Sequence, residues 1–429
     1  MRRDAVREYV RGSLWVLPTA SVLVALAVGG VLSLVRLPRG APLAFQGTAD
    51  DARTLLIGIT STMVTVIALV LGLTVVALQL SSTQFSPRLL RNFLRDRPNQ
   101  LVLSSFVATF AYAAAGLYTV GVSAGQRTGD YPRLAVTGAM ALLFVSLGLL
   151  VYFADHLAHS IQVDSIMRVA RMQTLEVIDD TLLGGGQEPV PAPDDAVPVA
   201  AQRSGYLQAV NVAGLLEWAG RTRACLRLHL RVGQHVVAGT TLAWVWPASA
   251  DDPWPDREAA ALVVDRDVRI GLERTFEQDA AFGIRQLVDM ACKAMSPAVN
   301  DPYTAVQAIN NISVIFNRLA TRPLGDYVAR DGAGATVVVP GRGFADYLET
   351  MCGLIRRYGA REPTVAQALL RLLLDCSAMV GDDPERRSAI GAQARLIVAE
   401  ADRQVAEPAD LTVIHAEARP LVGAPTDHR

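Results

Sequence analysis

The chain has 429 residues, of which 51% are hydrophobic and 19% are charged, and its formal net charge is −1. A chain without an overall positive charge lacks the electrostatic field that attracts nucleic acid, so we exclude nucleic acid as a partner. The four cysteines, Cys225, Cys292, Cys352 and Cys376, are widely spaced without a CxxC pair, which argues for reduced thiols and against a disulfide framework or a metal site.

Four apolar segments in the first third of the chain predict membrane-spanning helices. They cover residues 14–35, 55–80, 101–123 and 134–154. At about 1.5 Å per helical residue, the second segment alone crosses a hydrocarbon layer of roughly 30 Å. The first exceeds the apolar core of a cleaved signal peptide, roughly 7–15 residues, and further spans follow it. We therefore interpret residues 1–155 as a four-helix transmembrane domain in contact with the lipid bilayer.

The distribution of arginines predicts how these helices are oriented. Residues 2–11 contain four arginines, residues 88–97 contain four more, and Arg168 and Arg171 follow the last span. Arginine-rich segments close to a span remain on the cytoplasmic side. The sequence therefore predicts a multi-pass protein of the bacterial inner membrane with both termini in the cytoplasm.

Small and polar residues recur every three or four positions on the second predicted span, which places them on one side of a helix. We name this set the small-polar stripe; it consists of Gly58, Thr62, Thr65, Gly72, Gln79 and Thr83. One interpretation is a close-packing seam between membrane helices. The third span also repeats small residues and is predicted to pack against the second. The other interpretation of the stripe is the lining of a pore in a homo-oligomer, where hydroxyl and amide groups replace part of the hydration shell of an ion. No acidic or basic residue lies within the four spans, which disfavours a proton-coupled pump.

A basic motif follows the second span directly. It reads Gln84-Phe85-Ser86-Pro87-Arg88 and begins the arginine-rich segment that ends at Arg97. Its positive charge is suited to attract small anions to the mouth of a pore, or the headgroups of anionic lipids. The sequence leaves both interpretations open.

Beyond the fourth span, the chain is predicted to leave the membrane and enter a second region. Residues 152–171 have the pattern of a helix that continues the fourth span. Gly184-Gly185-Gly186 and four prolines between 189 and 198 then exclude regular structure. We interpret residues 156–200 as a helix extension followed by a Gly/Pro linker.

Residues 201–272 are predicted to form a small β domain. Apolar and polar residues alternate there, with glycines between the alternating runs. Ser204-Gly205-Tyr206-Leu207 and the segment from Arg231 to Ala243 resemble the barrel-sandwich hybrid fold of biotinyl and lipoyl carriers and of membrane-fusion proteins. The segment contains no lysine, so the modified lysine of a carrier is missing. The resemblance implies a docking or assembly module.

The next region, 273–420, is predicted to be a helical domain, with 421–429 as a disordered tail. It opens on a dense group of polar residues: Arg274, Gln278, Asp279, Arg285, Asp289, Lys293, Ser296, Asn300 and Asp301. Arg285 and Asp289 are spaced for an ion pair on one helix, Ser296-Pro297 ends that helix, and Asn300 or Asp301 caps the next. These residues fit a tight helix-turn-helix. The alternative is a ligand or subunit-contact site where Arg274, Asp279, Arg285, Lys293 and Asp301 converge.

Three segments together carry a resemblance that covers nearly the whole chain. They are the Gln84 to Arg88 motif, the segment 274–289 and the segment from Lys293 to Ala305, which includes Ser296-Pro297 and Asn300-Asp301-Pro302. With them the chain resembles a bacterial family of predicted integral membrane proteins classed as a domain of unknown function. The family implies a multi-span N-terminal region and a cytoplasmic C-terminal region, and it brings no established activity, cofactor or catalytic residue. Lys293 stands where arginine is expected in that family.

The sequence favours transport or assembly over catalysis. It contains no P-loop, dinucleotide-binding fingerprint, H-E-x-x-H zinc motif or G-x-S-x-G elbow, so we predict neither an enzyme nor a cofactor. The leading hypothesis is an oligomeric inner-membrane channel or permeation protein for a small ion, with a cytoplasmic assembly and gating domain. The alternative is a membrane-anchored scaffold or sensor that recruits a cytoplasmic protein partner.

Overall fold

A computed structural model describes residues 15–35, 38, 41–84, 97–126, 131–160, 162–181, 184 and 191–422 of the chain. It divides into two compact units, Met1–Ser165 and Ile166–Arg429, which we name the membrane unit and the C-terminal unit. Most of the basic motif, much of the linker and the last seven residues lie outside the described residues. Residues 421 and 422, predicted as part of the disordered tail, are helical.

The membrane unit contains four long apolar helices, as the sequence predicts. Each is long and apolar enough to cross a membrane. The helices are α1 (Val16–Leu34), α2 (Ala49–Gln84), α3 (Arg97–Gln126) and α4 (Arg133–Ser160). The third packs against both α1 and α2. Leu56, Ile59 and Met63 of α2 form a buried cluster with Tyr112 and Ala113 of α3.

Small residues allow close helix approach at Tyr112, at the centre of α3. Its hydroxyl donates a hydrogen bond to the carbonyl of Ala135 on α4 at 2.9 Å. A Cβ on Gly138 would lie 2.6 Å from that hydroxyl oxygen, and a Cβ on Gly29 of α1 would lie 3.2 Å from the ring. The glycines on α1 and α4 therefore provide room for one aromatic side chain, as is common where membrane helices pack closely.

The predicted continuation of the fourth span as one helix is wrong. Helix α4 ends at Ser160, and a separate helix, α5, covers Val163–Asp180. Between them the amide of Gln162 donates to the carbonyl of His159 at 3.3 Å, which is a tight turn rather than an α-helical bond. The chain thus enters the C-terminal unit on a new helix.

The C-terminal unit is built around two sheets with helices between the strands. The first sheet has the order β1-β5-β3-β8-β7 and the second the order β4-β2-β6. All strand pairs are antiparallel except β3 and β8. The strands are β1 (Val197–Ala200), β2 (Gly205–Val210), β3 (Ala224–Leu228), β4 (His235–Val236), β5 (Thr241–Pro247), β6 (Val268–Gly271), β7 (Tyr327–Arg330) and β8 (Thr336–Val339).

Two helices lie within residues 201–272, which the sequence predicts to be a small β domain. Helix α6 (Val212–Thr222) connects β2 to β3, and helix α7 (Arg257–Asp267) precedes β6. In α6 the buried residues Leu215, Trp218 and Ala219 follow helical spacing, and the side chain of Asn211 caps the helix. The described strands form no closed barrel, so the barrel-sandwich resemblance is not confirmed. The first sheet also contains β8, which lies beyond residue 272 and pairs with β3.

The remainder of the C-terminal unit is mainly helical, as predicted, with the β7–β8 hairpin as an addition. Its helices are α8 (Ala280–Ala294), α9 (Pro302–Ala320), α10 (Phe344–Gly359), α11 (Pro363–Met379), α12 (Pro384–Gln404) and α13 (Pro408–Val422). Helix α8 packs against α9 and α10. Eleven of its 15 residues are buried, so it is the central helix of this part.

Asp301 caps the N-terminus of α9. The sequence leaves Asn300 and Asp301 as candidates for this cap, and the structure shows that it is Asp301. Its carboxylate accepts bonds from the Thr304 amide at 3.1 Å and the Thr304 hydroxyl at 2.6 Å. These bonds hold the pKa of Asp301 below its ordinary value. Asn300 instead takes a left-handed conformation, with φ of 50°.

Asp301→Ala is expected to lower the free energy of unfolding of the C-terminal unit by about 1 kcal/mol, because it removes the N-cap of α9. Because the folded-state pKa is lowered, the charged cap stabilises the protein above the unfolded-state pKa, and this stabilisation is lost as the pH falls through the folded value. Chemical unfolding of wild type, Asp301→Ala and Asp301→Ser at neutral and acidic pH measures both effects. Equal stability of wild type and Asp301→Ala at neutral pH would contradict the capping role.

Candidate functional sites

The small-polar stripe lies on the outer surface of the membrane unit. The face of α2 that packs inside the unit consists of large side chains and Ala77: Leu56, Ile59, Met63, Val70 and Ala77 are at most 3% exposed. The stripe residues described with side chains, Gly58, Thr62, Thr65, Gly72 and Gln79, are all exposed. A Cβ built on Gly58 or Gly72 meets no described atom within 4 Å.

This exposure shows which face of α2 meets the third helix. Helix α3 packs against α2, as predicted, and it contacts the aliphatic face. The stripe is therefore not the surface that α3 contacts. Leu69 and Val76 interrupt the stripe and are also exposed. Thr83 and Gln84 belong to α2 by their backbone, whereas Phe85, Ser86, Pro87 and Arg88 lie outside the described residues.

The polar cluster predicted after residue 273 is divided into three groups along α8. Arg274, Gln278 and Asp279 lie at its start, and Arg285 and Asp289 form the predicted ion pair in its middle, with 2.8 Å between Nε and Oδ1. The other four residues lie at or beyond its end: Lys293, Ser296, Asn300 and Asp301. A helix of 15 residues is about 22 Å long, so the two ends do not meet. The predicted convergence of Arg274, Asp279, Arg285, Lys293 and Asp301 does not occur.

Asp279 is the centre of the group at the start of α8. Its side chain is 3% exposed, and Oδ2 accepts bonds from Arg274 Nε at 2.9 Å and Nη2 at 2.7 Å. Oδ1 accepts the amide of Phe282 at 3.1 Å and so caps the helix. Burial raises the pKa of the Asp279 carboxyl, and the Arg274 guanidinium opposes that shift. Gly233, with φ of 87°, passes so close that a Cβ there would meet the Asp279 carboxylate.

Gln278 fixes the loop before α8 to the second sheet. Its side-chain oxygen accepts the amide of Val210 at 2.9 Å, and its side-chain nitrogen donates to the carbonyl of the same residue at 3.2 Å. Val210 is the last residue of β2. The two bonds therefore give Gln278 a structural role in positioning Asp279.

A small cavity of about 40 Å³ lies beside Asp279. Its polar lining includes Arg231, Gln278, Arg342 and Tyr347. Arg231 pairs with Asp346 at 2.7 Å. Burial and the nearby Arg231 lower the pKa of Arg342, and burial raises the pKa of Tyr347 to about 12. No local sequence motif connects Arg231, Arg342 and Tyr347, because they come from the loop before β4, the loop between β8 and α10, and the start of α10.

The four cysteines are buried or half-buried, and they belong to no metal-binding group among the described residues. All four thiols are free. Burial raises the pKa of Cys292 to about 11 and of Cys352 to about 12, and it raises those of Cys225 and Cys376 as well. Protonated thiols are poor nucleophiles. In the part of the chain that the structure describes, no three His, Cys, Asp or Glu residues are arranged to hold a metal ion.

Gly283 explains the close contact between α5 and α8. A Cβ there would collide with the Thr174 hydroxyl of α5 and lie 2.8 Å from the ring of Phe276. Asp179, farther along α5, pairs with Arg318 at 2.7 Å and Arg322 at 2.6 Å, both next to the end of α9. Helix α5 is therefore held against α8 at Gly283, one helical turn after Asp279.

Comparison with known proteins agrees with this architecture. A family model described as predicted membrane protein, DUF2254, matches residues 11–375. Uncharacterised proteins from Mycobacterium tuberculosis strain CDC 1551 and from Mycobacterium bovis are each 45% identical over 432 residues, covering 96% of this chain and 81% of the relative. No solved structure matches the chain. The resemblance inferred from the sequence is thus confirmed, and the chain belongs to the DUF2254 family of predicted membrane proteins.

Proposed function

We propose that this protein forms a homo-oligomer in the bacterial inner membrane, in which the small-polar stripes of neighbouring copies face a pathway for a small ion. The C-terminal unit is then cytoplasmic and serves assembly and gating. The observation that carries the proposal is the exposure of the stripe. Small and hydroxyl-bearing residues on a membrane helix favour contact with another helix or with a polar pathway.

The contrast with α4 supports this assignment. Phe144, Leu147 and Val151 of α4 are 65%, 57% and 67% exposed, as expected for a surface that contacts lipid chains. The outer surface of α2 also carries exposed aliphatic side chains such as Leu69 and Val76, but Thr62, Thr65 and two glycines lie among them. Gly148 of α4 is an equally open surface glycine, but lipid alone gives no reason for the hydroxyl groups on α2. A second copy, or an ion pathway between copies, provides one.

Ion flux through purified protein in liposomes tests the proposal. Wild type is expected to conduct a small ion, and Thr65→Val and Gln79→Leu are each expected to reduce that flux by roughly fivefold or more, which corresponds to about 1 kcal/mol for a lost polar contact. Thr60→Val is the matched control, because Thr60 lies on another side of the same helix and its hydroxyl donates to the Leu56 carbonyl at 2.7 Å. Permeation would be refuted if no small ion that is tested crosses the liposome membrane and if neither stripe variant has an effect in cells.

The scaffold alternative also has an observation in its favour. An open groove of about 410 Å³ lies in the C-terminal unit beside Trp254, which is 51% exposed, and Arg221, Arg223 and Pro255 contribute to its lining. Exposed tryptophan and arginine are frequent at protein interfaces. This alternative predicts no flux in liposomes, together with a defined protein partner that full-length wild type binds and Trp254→Ala does not.

A further inference from the structure

The cavity beside Asp279 carries one more positive than negative charge in its immediate surroundings. Arg231 is paired with Asp346, and Arg274 is paired with Asp279. The third guanidinium, that of Arg342, makes no hydrogen bond or ion pair with any residue that the structure describes. Three guanidinium groups thus face two carboxylates, and the unmatched one is half-buried beside the cavity.

Tyr347 supplies the second, independent feature. The residue is 5% exposed and lines the cavity, close enough to Arg342 and Asp279 for electrostatic interaction with both. Its hydroxyl has no hydrogen-bond partner among the described residues. The hydroxyl oxygen keeps some accessible surface, so a partner that enters the cavity can reach it and satisfy it. A hydroxyl donor on the lining of a polar cavity, beside an unmatched guanidinium, fits a bound oxyanion.

We propose that this cavity binds the oxyanion end of a small ligand, a carboxylate or a phosphate, through an ion pair with Arg342 and a hydrogen bond from Tyr347. Asp279 does not prevent this, since its two oxygens are already occupied by Arg274 and by the Phe282 amide. The positive end of α8 begins at the cavity, where Ala280 contributes to the lining, and favours negative charge. The volume of about 40 Å³ accommodates one such group, with the rest of the ligand outside.

The binding proposal does not depend on the proposed permeation function. The site belongs entirely to the C-terminal unit, and its parts are the loop before β4, the start of α8, the loop between β8 and α10, and the start of α10. It lies one helical turn before Gly283, where α5 packs against α8. If the protein conducts ions, this is a position from which a ligand can act on α5.

Calorimetric titration of the full-length protein in nanodiscs tests the site. The probes are inorganic phosphate and succinate, each added in a chloride buffer that accounts for non-specific attraction of anions. We expect saturable binding of at least one probe, with Arg342→Gln weakening it tenfold or more and Tyr347→Phe weakening it severalfold. Phosphate alone would identify a phosphate ligand, and succinate alone a carboxylate ligand.

Arg285→Gln is the control, because Arg285 lies on α8 but pairs with Asp289 away from the cavity. It is expected to bind as wild type does. Tyr347→Phe removes only a hydroxyl without a partner, so its melting temperature in chloride should equal that of wild type. When the bound anion is added, the melting temperature of Tyr347→Phe should rise less than that of wild type. No binding of either probe, or equal affinities for wild type and a folded Tyr347→Phe and Arg342→Gln, would overturn the proposal.

Discussion

Asp279→Ala is expected to lower the free energy of unfolding of the C-terminal unit by about 3–5 kcal/mol, the cost of breaking a buried ion pair from one side. The substitution leaves Arg274, whose side chain is 21% exposed, without its carboxylate, and it removes the N-cap of α8. Chemical unfolding followed by tryptophan fluorescence measures the effect. Four of the five tryptophans, Trp218, Trp244, Trp246 and Trp254, report on this unit.

The controls for this prediction separate burial from charge. Asp279→Asn keeps an oxygen that can accept the Phe282 amide, so it should cost less than Asp279→Ala. Asp382→Ala removes a fully exposed carboxylate that pairs with Arg387 at 2.8 Å. Its effect on the free energy of unfolding should be negligible beside that of Asp279→Ala, as for most surface substitutions. An Asp279→Ala protein as stable as Asp382→Ala would show that the buried pair is not structurally important.

Gly283→Ala is expected to destabilise the C-terminal unit by about 2 kcal/mol, because overpacking of a core costs about 1–3 kcal/mol. Helix propensity alone would give the opposite sign, since alanine is favoured over glycine by up to about 1 kcal/mol in a helix. The added Cβ collides with the Thr174 hydroxyl and lies 3.0 Å from the Thr174 Cβ. The collision therefore decides the outcome, and the contact between α5 and α8 loosens.

A double-mutant cycle tests this explanation. Thr174→Ala removes the hydroxyl oxygen that the new Cβ would meet, so the double variant should regain part of the stability lost in Gly283→Ala. Recovery should be incomplete, because the ring of Phe276 remains 2.8 Å away. Gly332→Ala serves as control, since a Cβ there meets nothing within 4 Å. Additive effects of the two substitutions would contradict a direct contact between positions 174 and 283.

Those parts of the fold that follow from local patterns were predictable from the sequence. The four membrane helices, the end of α8 before Pro297 and the start of α9 at Pro302 all depend on short segments whose chemistry is clear. Helix α6 was not predicted, because its short amphipathic run lies between two alternating segments. The parallel pairing of β3 with β8 joins residues more than a hundred positions apart, and no local pattern indicates it.

The site was predictable only in part, for the same physical reason. Arg274 and Asp279 are five positions apart, and their ion pair is local. Tyr347 reaches the same cavity from the start of α10, Arg342 from the loop between β8 and α10, and Arg231 from the loop before β4. The stripe was recognised by its spacing, but a helical period does not specify which face meets the rest of the protein. Burial of Leu56, Ile59 and Met63 resolves that question.

Cysteine cross-linking in native membranes most directly tests the central claim that stripes of neighbouring copies face one another. Residues 1–224 contain no cysteine, so a cross-link that appears only after a cysteine is added there involves the added position. The unmodified protein is the control. Thr65→Cys is expected to form covalent dimers under mild oxidation. Val64→Cys, at the same depth and 53% exposed on another side of α2, is expected to form none. Equal cross-linking at both positions, or none at Thr65→Cys, would contradict the assembly.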